Sequence, residues 1–458
     1  MRISSTTRVA IGALATLPSA TAAPATTTAV PSLSSPTPPA EFTPSPKTGP
    51  GGTKFRDYPH FRVYNAPNDS IADATARMLE SAYSCYVDTL GWRSTGLSFN
   101  QVADTGPWYK VNVYRVDDIP GAAANTGTDS TTGLSFLNVV TKYLTEPSIT
   151  VHEYGHALTY AARVWINQTK TGAWWETVAQ FVADTFITSS VCQAARQKYQ
   201  QPEGGATMMD LKKVLGDSYQ AIVDATRSPA KGEPSANYYQ AWPFFVYLFY
   251  NPDDYPALRN HAVFPGVWTR YKVDSDETPL HVLDRIVSAD AGQTIQKVVG
   301  RYWARMAFVD LGHPTAQSLF LSQRKSISYA VLDTVAGQTG TYRVKAARQP
   351  RYMGANILPL KGVAGTNNLS VNITSASAPY TATLIIRSTD DKAKTSSCTY
   401  IDLVHGAAHA PLMAGQEATL VVANTPDQLL SYDPFNMPAE ANRGLDYQIQ
   451  LTGASFAG

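Results

Sequence analysis

Two histidines four residues apart, His152 and His156, enclose a glutamate, Glu153, in the segment Ser148-Ile-Thr-Val-His-Glu-Tyr-Gly-His-Ala-Leu-Thr159. On a helix, residues four apart lie on one face a turn apart, so both imidazoles can reach a single metal ion. A catalytic zinc takes about three protein ligands and leaves a position for water, so a third ligand must come from elsewhere in the chain. Glu176 is the candidate. It follows His156 by twenty residues and opens the stretch Glu176 to Ile187, in which Val178, Phe181, Val182 and Phe186 recur at helical spacing. A second helix packed beside the first would aim its carboxylate at the ion. Glu153 projects about 100° from the ligand face, where it can act as general base on the attacking water.

The competing reading is a buried histidine pair with a purely structural role. Against it, the motif sits in an apolar helical pattern (Ile149, Val151, Ala157, Leu158), and small Gly155 permits close approach of a neighbouring helix. Ser148 is expected to cap the helix start through its hydroxyl.

This constellation resembles the gluzincins, zinc metallopeptidases that combine His-Glu-x-x-His with a glutamate on the next helix. The metzincin extension would need Gly at Thr159 and His at Ala162, and the sequence has neither. The resemblance implies a small upstream sheet with an edge strand beside the cleft, to which an extended peptide can add. His60–Tyr64, Tyr109–Val116 and Gly133–Val140 read as strands and Ile71–Leu90 as a helix, with Gly133–Val140 expected at the edge. It also implies a tyrosine supporting the oxyanion. The stretch Tyr238-Tyr-Gln-Ala-Trp-Pro-Phe-Phe-Val-Tyr-Leu248 is similar to the helix that carries it, with Tyr238 in the better register and Tyr239 as the alternative. Core packing by Trp242, Phe244, Phe245 and Leu248 is the competing account. Where some gluzincins place an imidazole-orienting aspartate, this chain has Gln180, with Asp184 a further turn on. The glycine-rich substrate motif of aminopeptidases is missing, so exopeptidase action is not implied.

The elements that must hold these residues belong to a chain of 458 residues, long enough for two or three cores. Lys and Arg number 37 against 36 Asp and Glu, a net charge of +1, which gives no electrostatic footprint for nucleic acid or an anionic membrane. Residues 1–22 have the basic start, apolar stretch and small-residue cleavage site of a secretory signal peptide, so a secreted, extracellular protein is expected. Residues 23–54, rich in Pro, Ser, Thr and Gly, are expected to be a disordered linker. Sequons at Asn68, Asn167, Asn368 and Asn372 would accept N-glycans. Of three cysteines, Cys85 could bridge to Cys192, leaving Cys398 over, although sequence does not decide the pairing.

The expected fold class is α+β: a zincin-like domain of small mixed sheet and active-site helices (55–203), a helical subdomain (204–335) and a C-terminal β-sandwich (336–458). In the last, short alternating segments are separated by turn residues, and Tyr380, Tyr400, Tyr432 and Phe435 are candidates for stacking on sugars or for filling its core. The expected function is a secreted zinc-dependent metallopeptidase acting on polypeptide, with His152, His156 and Glu176 holding Zn, Glu153 as base, and possible carbohydrate binding by the C-terminal domain. The alternative is a weak or inactive glycan- or cell-wall-binding protein on the same scaffold.

Overall fold

The computed structural model describes residues 38–227, 237–390 and 395–458; the expected signal peptide and residues 23–37 of the expected linker lie outside them. Apolar runs at Phe61–Tyr64 (β2) and Val111–Val116 (β3) are buried along most of their length because the sheet they build is covered on both faces. That sheet has the order β1-β2-β3-β5-β4, with β1 spanning Phe55–Asp57, β4 Ala124–Asp129 and β5 Leu134–Val140. β2, β3 and β5 run parallel, while β1 and β4 are antiparallel to their neighbours. Helix α1 (Asp69–Tyr83), with Asn68 as its cap, makes the crossover that parallel β2 and β3 require. The strand expected at the edge is therefore interior. Antiparallel β4, Ala-Asn-Thr-Gly-Thr-Asp, takes the edge, and its sequence lacks the apolar alternation that would announce a strand.

Part of the expected linker is packed structure. Phe42 is 2% exposed against His60 and Tyr83, while the Thr48 carbonyl accepts from Asn112 Nδ2 (2.9 Å) and the Tyr114 hydroxyl (2.7 Å). Residues 38–54 thus cover the sheet where aromatic and polar side chains emerge. Gly49, at φ 79°, comes so close to Tyr114 and Phe136 that a Cβ would stand 2.7 Å from the first ring.

Helix α2 (Pro147–Ala161) carries the histidines and packs on β4 and β5; α3 (Trp174–Thr188) lies alongside it. The α2 cap is Glu146, whose carboxylate accepts from the Ser148 amide and hydroxyl, so Ser148 is not the cap. With Pro147 at the first helical position, the start lies two residues nearer the N-terminus than expected. Cys85, in a π-helical turn after α1, is bonded to Cys192, just beyond α3, and Cys398 is free.

The helical wall follows as α4 (Gln193–Lys198), α5 (Leu211–Gly216), α6 (Pro243–Tyr250), α7 (Val263–Thr269), α8 (Pro279–Val287), α9 (Ile295–Met306) and α10 (Pro314–Gln323). α6 begins at Pro243, not at Tyr238: proline lacks the amide a helix interior needs, and residues 237–239 form a separate 3₁₀ turn.

The C-terminal part holds two antiparallel five-stranded sheets resembling a sandwich. Its strands are β6 (Leu332–Thr334), β7 (Thr341–Val344), β8 (Ala355–Gly362), β9 (Asn368–Ala376), β10 (Tyr380–Asp390), β11 (Thr395–Asp402), β12 (Ala407–Pro411), β13 (Glu417–Asn424), β14 (Tyr447–Thr452) and β15 (Ala454–Phe456). One sheet has the order β11-β10-β13-β8-β15 and the other β12-β9-β14-β7-β6. Strand alternation divides the first between two cores: Leu358, Leu384, Ile386, Leu420 and Val422 fill the sandwich, while Ile357, Ile385 and Val421 join the core of the helical wall. Helix α9 lies across this second face, with the Trp303 indole donating to the Met353 carbonyl (2.8 Å). β8 escapes recognition in the sequence because both its faces are covered and Pro359 interrupts it.

Candidate metal centre

One turn of α2 separates His152 from His156, and their rings stand nearly perpendicular with centroids 4.9 Å apart. The third group comes from α3. Oε2 of Glu176 lies 3.2 Å from His152 Nε2 and 3.3 Å from His156 Nε2. One ligand atom from each residue fits within 4.8 Å of the other two, and this is a group among the described residues that can hold a metal ion. Two neutral nitrogens and one carboxylate oxygen suit zinc or another first-row transition ion, as a donor set. Side-chain exposures of 12% for each histidine and 26% for Glu176 leave the cluster open to one side.

Gly155 explains why the helices approach closely enough. Its Cβ, if present, would stand 2.8 Å from Ala179 Cα and 3.1 Å from Val182 Cβ. The glycine is thus a contact point of α2 and α3, next to His156, and its partner Ala179 lies three residues after Glu176. In the metal-free form the three groups satisfy each other electrostatically. Burial draws the His156 pKa down, but the charge and hydrogen bond of Glu176 outweigh it and lift the value to about 9. Burial raises the Glu176 pKa, yet His156 and His152 hold it far below the ordinary carboxylate range.

Glu153 is 7% exposed and points towards the edge strand. The Thr126 hydroxyl, on β4, lies 2.7 Å from Glu153 Oε2 and 2.8 Å from its backbone carbonyl. Thr126 is a site residue that sequence reasoning missed, since the only signal for it was a six-residue polar strand. Tyr238 and Tyr239 both flank Glu176. The Tyr238 carbonyl accepts from the Thr177 hydroxyl (2.7 Å), and the two phenol rings are 4.4 Å apart. Burial pushes both phenols above their ordinary pKa, and the Glu176 charge adds to the effect, so both remain hydrogen-bond donors at neutral pH. Their placement on a 3₁₀ turn differs from the helical expectation, but both lie beside the cluster.

The other two expected site residues do different work. Asp184 is fully buried; its carboxylate accepts from the Thr207 hydroxyl (2.7 Å), the Met208 amide (2.6 Å) and His313 Nε2 (2.7 Å). It braces α3 against the helical wall, and neither His152 nor His156 is among its partners. Gln180 makes no hydrogen bond to either histidine, and its buried Oε1 has no partner among the described residues. Both lie at helical positions that follow Glu176, but two turns along α3 carry Asp184 to the wall.

A family of unknown function (DUF6055) is matched by residues 54–201, a stretch that spans the first sheet, α2, α3 and the three clustered side chains. No curated protein matches the chain.

Proposed function

We propose that the chain is a secreted, zinc-dependent metallopeptidase of gluzincin-like design, with His152, His156 and Glu176 holding the ion. The observation that carries this reading is the position of one Glu176 oxygen within 3.3 Å of both Nε2 atoms, from a separate helix. Bound zinc supplies a Lewis acid that polarises a carbonyl and acidifies water. The chain's own groups supply the rest. Glu153 takes a proton from the attacking water and returns it to the leaving amine, while Thr126 fixes its carboxylate. The Tyr238 or Tyr239 hydroxyl donates to the oxyanion, a contact worth about 2.7–4 kcal/mol in comparable sites. Edge strand β4 offers backbone groups along which an extended peptide can align.

Secretion is supported by the Cys85–Cys192 bond, which persists in oxidising compartments, and by the exposure of all four sequon asparagines. Among the described residues no helix is long and apolar enough to cross a membrane. The deciding experiment incubates purified protein with denatured casein and measures metal content on the same sample. About one zinc per chain, chelator-sensitive fragments and loss of at least a hundredfold in Glu153→Gln are expected. Stoichiometric zinc without hydrolysis would favour the glycan-binding alternative; absence of zinc from protein refolded with the ion would remove both.

A further inference from the structure

Between β13 and the last strands, residues 425–438 run back over the helical wall and are pinned there. Gln296 Nε2 donates to the Pro426 and Asp427 carbonyls (both 3.1 Å), the Leu430 amide donates to the Tyr352 hydroxyl (3.0 Å), and the Ala225 amide donates to the Pro434 carbonyl (2.9 Å). Tyr432 is 1% exposed, its hydroxyl directed at the Val223 carbonyl. At the tip the Asp433 carboxylate accepts the Phe435 amide (2.9 Å), setting a tight turn. The next side chain out is Phe435, left 56% exposed by a loop that is otherwise tied down.

Phe435 is not on a remote face. A Cβ on Gly172 would stand 2.9 Å from its ring, and the Tyr238 ring centroid is 6.5 Å away. Gly172 lies one turn before Glu176, and Trp175, the neighbour of that ligand, packs edge-on against Tyr160 (5.0 Å), itself one turn beyond His156. Half-buried Trp175, Tyr160 and Tyr238 and exposed Phe435 are thus an aromatic rim beside the segments that carry His156 and Glu176. Exposing an aromatic ring costs about 25 cal/mol per Å² of apolar surface, and a rigid loop that presents one at a cleft is placed to recover that on binding.

We propose that Phe435 and this aromatic rim form a subsite for a bulky apolar or aromatic residue of the substrate, so that the C-terminal part helps set specificity. The inference rests on the peptidase reading for its substrate class. The apolar surface of the four rings matches an apolar side chain, and Trp175, next to Glu176 in the chain, puts the rim near the candidate ligands.

The test separates binding from chemistry. Zinc-loaded Glu153→Gln protein is titrated calorimetrically with the peptides Gly-Gly-Phe-Leu-Gly-Gly and Gly-Gly-Ala-Ala-Gly-Gly, alone and with Phe435→Ala added. The Phe-Leu peptide should bind about tenfold more tightly, and Phe435→Ala should erase that preference while leaving the Ala-Ala peptide unaffected. Gly172→Ala, at φ −55° and so unstrained, should do the same by displacing the ring. Phe435→Leu should keep most of it. Equal binding of the two peptides, or a preference that survives both variants, overturns the proposal. So does tighter binding of soluble chitohexaose that is lost in Phe435→Ala, which would make the rim a sugar platform. If the preference holds but zinc-loaded wild type cleaves no peptide, the peptidase reading falls and the subsite stands.

Discussion

At the residue scale, the Thr126 hydroxyl gives the sharpest test of how Glu153, the proposed base, is held. Thr126→Val keeps the shape and removes the hydroxyl, so kcat should fall about tenfold with KM nearly unchanged, and Thr126→Ser should restore most of it; steady-state kinetics decide. The histidine–glutamate cluster predicts a pH signature in metal-free protein. Folding raises the His156 pKa from its ordinary 6.5 to about 9, so its contribution to stability is complete below about 6.5 and is lost as pH rises through 9. Glu176, with its pKa depressed, contributes above its ordinary 4.5 and loses that only in strong acid. The Tm of chelator-treated protein should therefore fall between pH 6.5 and 9, and zinc should flatten the fall; a flat profile without metal would contradict the pairing. His152, Glu153 and His156 were legible because helical spacing carries them, and Glu176 because a metal ion needs a third ligand and the next apolar helical pattern opens on a carboxylate. Thr126 was not, since its partnership with Glu153 depends on a strand pairing that no local pattern records. Asp184 shows the converse: its position on α3 suggested an imidazole, but the tertiary packing of residues 207–208 and His313 claimed its oxygens.

At the element scale, the distance between α2 and α3 sets the metal geometry, and Gly155 sets that distance. Gly155→Ala gains up to about 1 kcal/mol of helix propensity but forces a methyl against the backbone of Ala179, which cannot rotate away, at a cost of about 1–3 kcal/mol. The crowding should win. Tm should drop, and zinc affinity should drop by more than stability explains, because α3 carries Glu176 outward; zinc titration beside thermal melts checks this, and unchanged affinity would separate the helix contact from the site. Strands of the sandwich with one solvent face, such as β9 and β14, were readable from alternation. β4 and β8 were not, the first because it is polar and short, the second because both faces are buried. The late start of α6 was written in Pro243, a start signal outweighed by the surrounding aromatic run.

At the scale of the whole molecule, the sheet containing β8, β10 and β13 serves two cores at once, which makes the sandwich part of one folded body with the helical wall. Composition and spacing announced a β-rich C-terminal part, but which face of which strand met the helices was a long-range matter that sequence patterns do not encode. The Cys85–Cys192 bond spans 107 residues, and replacing both cysteines by serine should cost about 4–5 kcal/mol if loop entropy dominates, read as a shift in denaturant midpoint. The same bond has a consequence for survival among proteases. Cys85 lies on the histidine side of the connection at 163–171, in which Asn167 and Thr169 are exposed, and Cys192 lies on the Glu176 side, so a backbone cut at those two residues severs the chain without parting the pieces. A chain nicked there would run as one band until reductant is added and would keep His152, His156 and Glu176 within reach of each other.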